Sequence, residues 1–155
     1  MIYIIFYIIA WIVGFIVYFS KKSGSLTQCL VISHLVICVG LFGIWNFFGH
    51  FFMAEKIAQS IGWISNEFQK ELAFVSLGIG IAGILCLWFK NGFWWATIIP
   101  YTTFLFGAAG IHIFEMIEKG NFNPGNSLII IPDILMPLTI IILLILNSRL
   151  KKKFI

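Results

Sequence analysis

An all-α, polytopic membrane protein is the fold class this sequence predicts, and three observations predict it. Of its 155 residues, 61% are hydrophobic and only 10% are charged, whereas soluble domains run at roughly 45–50% apolar and about 25% charged. The mean hydropathy is +1.03. The apolar residues come in runs of about 18 or more, the length an α-helix needs to cross ~30 Å of hydrocarbon, with none of the alternation of an outer-membrane barrel. Lipid offers the backbone no hydrogen bonds, so each crossing must satisfy its own, and a helical bundle follows.

A single transmembrane domain covers 1–155, with five spans. Span one, 2–19, has no basic stretch before it and no small-x-small cleavage pattern after it, so it is expected to be retained, not cleaved as a signal peptide. Lys21 to Gln28 is a short polar loop rich in Ser and Gly. Span two, 29–52, carries His34 and His50. The longest hydrophilic stretch follows, Glu55 to Glu71 (EKIAQSIGWISNEFQKE). There Trp63 is expected at headgroup depth, and Asn66 with Gln69 reads as a capping box opening the next helix. Span three, 72–89, carries Ser76, Gly78, Gly80, Ala82 and Gly83, small residues that let helices approach closely. Lys90, Asn91 and Gly92 make a turn into span four, 93–117, where Pro100 removes a backbone donor and should kink the helix. Glu118 to Ser127 is dense in turn residues. Span five, 128–146, is entered through IPDILMP and ends in a basic tail.

Five spans put the termini on opposite sides. Lys21, Lys22, Lys90, Arg149 and Lys151 to Lys153 fall on one side, and Lys56, Lys70 and Lys119 on the other. Seven against three favours an outside N-terminus and a cytoplasmic C-terminus in a bacterial inner membrane. Placed at membrane borders, these residues leave no basic face for nucleic acid. The expected partner is the lipid bilayer. Cys29, Cys38 and Cys86 form no CxxC pair and read as small buried hydrophobes.

The ionisable residues of the spans converge on one level. At ~1.5 Å per residue His50 lies roughly 30 Å from the inner end of span two, and His112 and Glu115 reach a similar depth on span four. Glu71 and Asp133 open the two descending spans. At ~100° per residue His50 shares a face with Gly43 and Asn46, His112 with Leu105, Ala108, Ala109 and Glu115, and Glu71 with Gly78 and Ala82. Such small-residue faces are expected to turn toward the bundle. In span five, Pro137 has no N–H for the Asp133 carbonyl, which leaves a free oxygen beside a carboxylate. His50 precedes Glu71 by 21 positions and His112 precedes Asp133 by the same 21. HFFMAEK at His50 is echoed by HIFEMIEK at His112. Spans two to five therefore read as a four-helix bundle of two parallel-related hairpins, with span one as an accessory.

The stretches IGWISNEFQKELAF, LGIGIAGIL, FGAAGIHIFEMI, NFNPGNS and PDILMP resemble a family of small bacterial inner-membrane proteins known only as a domain of unknown function. The resemblance covers spans two to five and draws attention to Trp63, Gln69, Glu71, His112, Glu115, Asn126 and Asp133. It implies the membrane class and no activity.

Four functions compete. The sharpest expectation is a divalent metal site (iron, zinc or manganese) facing outward, with His50, Glu71, His112, Glu115 and Asp133 as ligands. Glu115 would then shuttle protons if the centre were catalytic, and Asn46 or Gln69 would orient the imidazoles. The donor pattern departs from soluble dimetal bundles, having one reversed His-x-x-Glu in place of two Glu-x-x-His pairs. A second reading is haem b held between His50 and His112. A third is a proton- or cation-coupled transport component, whose full pathway would require a homo-oligomer because the inner half carries only His34. The fourth is structural: His50 and His112 hydrogen-bond Glu71 and Asp133, and His34 is a satisfied core histidine.

Overall fold

The computed structural model describes residues 2–20 and 24–153, helical over most of that length and without a strand among them. Lys21 and Lys22, and the side chains of Lys151 to Lys153, to which the sequence assigns part of the basic anchors, lie outside the described residues.

Five helical stretches are long and apolar enough to cross a membrane. The first is α1 (Ile2–Ser20). The second, Leu26–Phe52, is continuous but composite: α2 (Leu26–His34), a π-helical segment (Leu35–Leu41) and α3 (Phe42–Phe52). After it comes the short α4 (Ala54–Ser60), then α5 (Phe68–Leu85) and α6 (Gly92–Lys119) as the third and fourth. The fifth, Pro124–Leu150, joins the single turn α7 (Pro124–Ser127) to α8 (Ile130–Lys153).

Local chemistry sets these ends. Ser25 caps α2, its hydroxyl accepting from the Gln28 N–H at 3.2 Å. Gly120 ends α6 in the left-handed region at φ 62°, and the following N–H of Asn121 returns to the Glu115 carbonyl. Pro124 opens α7, where its missing N–H costs nothing. The third span starts at Phe68, not 72, and stops at Leu85, not 89. Just past its end the Cys86 carbonyl accepts from the Trp94 indole at 3.0 Å, and the chain turns there. The expected capping box is not formed: Glu67 occupies the N-cap with no side-chain bond to the helix backbone, its carboxylate pairing with Lys70, and the Gln69 side chain bonds elsewhere. Both Pro100 and Pro137 lie inside continuous helices.

Span two is the shared element. α1, expected as an accessory, packs along α2, where Gly14 brings its backbone against Leu30 and Ser33. α5 crosses the π-helical segment and α3 through glycines. A Cβ on Gly43 would sit 2.7 Å from the Gly80 Cα, and one on Gly83 would overlap the Gly40 amide nitrogen. Two bare backbones meet there, so side chains give way to main-chain van der Waals contact, the form of helix association that lipid favours. Asn46 donates to the Ser76 hydroxyl at 3.0 Å beside the crossing, buried. α8 packs on both α6 and α2. Met136, Ile140 and Leu144 of α8 join Val31, Leu35 and Trp94 in the buried core.

Candidate functional site

The five ionisable residues singled out above separate into different environments, and among the described residues no three His, Cys, Asp or Glu side chains gather as a metal-binding group. At the end of the molecule where α3 and α6 finish, two histidines are tied to amides, not to acids.

His112, 8% exposed, has Nδ1 2.7 Å from Asn126 Oδ1. The Asn126 amide nitrogen donates to the carbonyls of His112 (3.2 Å) and Asn121 (2.9 Å). Two carbonyl acceptors fix which end of the amide is nitrogen, so Oδ1 faces the imidazole and Nδ1 must carry the proton. The lone pair is therefore on Nε2. Trp63 stacks on the ring, centroids 5.5 Å apart at 26°, so this tryptophan packs on a histidine besides standing 37% exposed. Glu115, one turn on, takes Lys119 at 2.6 Å, with Asn121 and the Trp63 side chain beside the same carboxyl.

His50 has the opposite tautomer by the same reasoning. Gln69 Nε2 donates to the Ala54 carbonyl at 2.9 Å and to His50 Nδ1 at 3.3 Å, while the Ser65 hydroxyl donates to Gln69 Oε1 at 3.0 Å. Nδ1 of His50 is thus an acceptor and Nε2 bears the proton. Of the two amides expected beside the imidazoles, Gln69 meets His50 and Asn46 bonds Ser76. Glu71 is exposed. Its neighbour on that face, Gly78, has nothing within 4 Å of a would-be Cβ, because α5 turns its other small face, Ser76, Gly80 and Gly83, to span two.

The two polar loops hold these histidines by docking on each other. Asn121 Nδ2 donates to the Ile61 carbonyl at 2.8 Å. Gly125 lies so close to Ser60 that a Cβ would overlap its carbonyl oxygen. Gly62 takes φ 76° directly under Asn121 and Asn123, a conformation and a space that only glycine suits.

Asp133 lies elsewhere. It is seven residues beyond Asn126, roughly 10 Å deeper along the helix, and is 4% exposed. Tyr3 of α1 and Tyr101 of α6 lie within electrostatic range of it, and Cys38 within range of Tyr101. The Tyr101 hydroxyl is buried with no hydrogen-bond partner among the described residues. Lys56, Lys70, Lys90, Lys119 and Arg149 are all exposed, so none of these cations is buried with Asp133. His34, expected to be satisfied, is only half so: Nδ1 bonds the Leu30 carbonyl at 2.8 Å and Nε2 has no partner.

This donor set does not fit the metal or haem expected from sequence. A haem iron takes a lone pair from each axial imidazole, and His50 presents an N–H with its lone pair held by Gln69. Glu115 is committed to Lys119, Glu71 faces away, and Asp133 is roughly two helical turns deeper than His112. The tyrosines around Asp133 carried no periodic or motif signal in the sequence; they look like ordinary aromatic residues of apolar spans.

The class these features define is an all-helical chain of five membrane-length apolar helices, with a cap locked by amides at one end and a carboxyl buried among the helices. The chain belongs to the family of unknown function DUF6790, whose model matches residues 1–153. No curated protein and no solved structure matches it.

Proposed function

We propose that this chain is a multi-pass protein of a bacterial inner membrane, N-terminus outside and C-terminus cytoplasmic, that moves a proton or a small monovalent cation by way of Asp133. The burial of that carboxyl at 4% exposure, within an apolar span and away from the chain's exposed cations, carries the reading. A carboxyl at such a position must hold a proton or a cation to be tolerated, and groups of this kind mark ion and proton routes in membrane proteins. Support comes also from the Asp133 carbonyl, which Pro137 cannot serve, and from the Tyr101 hydroxyl, buried without a hydrogen-bond partner within electrostatic range of the carboxyl. The excess of Lys and Arg on the loops assigned to the cytoplasm supports the orientation.

Purified protein in liposomes, under a membrane potential and with an internal pH- or sodium-sensitive dye, tests this. Flux above that of empty vesicles is expected, and its loss in Asp133→Asn with thermal unfolding unchanged. Wild-type rates in Asp133→Asn, or no flux from the wild type, would overturn it.

The histidines of the cap have a second, structural role, favoured by one observation: both are held by side-chain amides that also bond main-chain carbonyls. They knit the two polar loops onto the ends of α3 and α6. His112→Gln should lower the melting temperature and leave flux per folded molecule unchanged; a loss of flux with unchanged melting would contradict this role.

A further inference from the structure

The buried stripe of α8 ends on an amide. Met136, Ile140 and Leu144 face the core, and Asn147, next at helical spacing, is only 4% exposed. Its side chain has no hydrogen-bond partner among the described residues. A buried amide left open costs stability unless something occupies the space before it. That space is a cavity of about 190 Å³ between the end of α8 and the start of α6. Asn147, Leu144 and Trp94, all buried, make its floor, and Gly92, Trp95 and Ser148 stand at its rim. The Trp94 indole is taken by the Cys86 carbonyl. The remaining donors are open: the Ser148 hydroxyl and the Trp95 indole bond nothing among the described residues, and no backbone carbonyl there accepts from the Gly92 N–H that opens α6. Asn91, at the N-cap with φ 57°, gives that helix no side-chain cap. Open N–H groups and the dipole of a 28-residue helix favour an anion at this end, and α8 runs on to Lys153, carrying its own terminal carbonyls past the cavity. Charge agrees. Lys90 and Arg149, both exposed, adjoin Asn91 and Ser148 in the chain, whereas the 6 acidic residues belong to the other end or deeper in the helices. The nearest along α8, Asp133, is roughly 20 Å from Asn147.

We propose that this cavity binds a phosphate group, presented by the headgroup of an anionic phospholipid. The Asn147 amide and the Ser148 hydroxyl donate to the phosphate oxygens from α8 and the Gly92 N–H from α6, while Lys90 and Arg149 neutralise the charge from the border. The volume lies below the roughly 300–1,000 Å³ of sites for drug-sized ligands, so it admits a headgroup and leaves the acyl chains outside. Trp95 at the rim and the exposed Trp88 and Phe89 of the preceding turn are aromatic side chains of the kind that settle at a membrane–water border, which favours lipid over the free ion as the source. A phosphate held there ties α6 to α8 at the end of the molecule opposite the amide-locked cap.

The test titrates full-length protein in neutral detergent with phosphatidylglycerol, with diacylglycerol of the same chains, which lacks the phosphate, and with inorganic phosphate. Tryptophan fluorescence reports on the cavity through Trp94 and Trp95, and native mass spectrometry counts the lipid bound. One phosphatidylglycerol per chain, retained where diacylglycerol is lost, is expected. Inorganic phosphate as the only saturating ligand would keep the site and make the free ion its occupant. Asn147→Leu should weaken binding about 10-fold or more, the weight of one hydrogen bond to a charged group. Lys90→Gln with Arg149→Gln should weaken it too and remove much of its dependence on salt. Should Asn147→Leu fail to fold, Ser148→Ala at the half-buried rim takes its place, with a several-fold loss expected. Equal retention of phosphatidylglycerol and diacylglycerol, saturable binding of neither phosphate compound, or wild-type affinity in a folded Asn147→Leu or its substitute would overturn the inference. Ion flux by way of Asp133 enters none of these outcomes.

Discussion

Asn126 closes both ends of a single histidine: its oxygen lies 2.7 Å from His112 Nδ1, and its amide nitrogen returns to the His112 carbonyl at 3.2 Å. With a third bond to the Asn121 carbonyl and 0% exposure, the side chain has no solvent to fall back on. Asn126→Leu should therefore destabilise the protein by roughly 2–4 kcal/mol, since each lost bond leaves a buried partner open. Chemical denaturation in detergent measures this, and a change below about 0.5 kcal/mol, within the ordinary range for surface substitutions, would show the cap to be dispensable.

The glycine crossing predicts a contrast within one residue type. Gly83→Ala and Gly43→Ala place a methyl against main-chain atoms of Gly40 and Gly80, which cannot rotate away. Each should cost about 1–3 kcal/mol. Gly107→Ala and Gly110→Ala meet nothing within 4 Å and should be neutral, or stabilising by up to about 1 kcal/mol through the unfolded chain. Equal melting shifts in the two pairs would contradict the crossing.

Beside that crossing, Ser76→Ala removes the acceptor of the Asn46 amide. Interhelical bonds of this kind average about 0.6 kcal/mol in a bilayer setting, so a loss of that order is expected. A double-mutant cycle with Asn46→Ala should show coupling of the same size, and additive effects would mean the bond contributes nothing.

Metal should not govern stability. No three ligand-type residues gather among the described residues, so chelator treatment or added zinc, iron or manganese should leave the melting temperature unchanged. Elemental analysis showing a stoichiometric metal that survives dialysis would reverse that expectation.

At the rim, Lys119→Gln breaks the 2.6 Å pair with Glu115. Lys119 is largely exposed, and exposed helix pairs at this spacing contribute little. A small loss of stability that shrinks as salt is added is the expected result.

The five helices of membrane-spanning length were legible because length and apolarity alone mark them. Which face of a helix packs was less so. α5 carries small residues on two sides, and the side with Glu71 and Gly78 is indistinguishable by composition from the side with Gly80 and Gly83; Gly40 and Gly43, on another span, decide between them. Histidine partners were misjudged for a similar reason. A search for opposite charge finds Glu71 and Asp133 at matching intervals, whereas the chain places Gln69 and Asn126 against the rings through folded loops whose composition reads as plain solvent-facing turns. The equal spacing of 21 corresponds to no hydrogen bond or ion pair among the described residues. The π-helical segment at Leu35–Leu41 has no signature in its residues either.

The hydrogen bond from Asn121 to the Ile61 carbonyl also carries a timing. Its partners stand 60 residues apart in the chain, an interval of about 3–12 s at ordinary rates of synthesis. During that interval the first polar loop waits without the loop that seals it. The cap is therefore a late event of synthesis, completed only when α6 has been made and α7 has begun, and any factor that escorts the nascent protein would meet Trp63 uncovered.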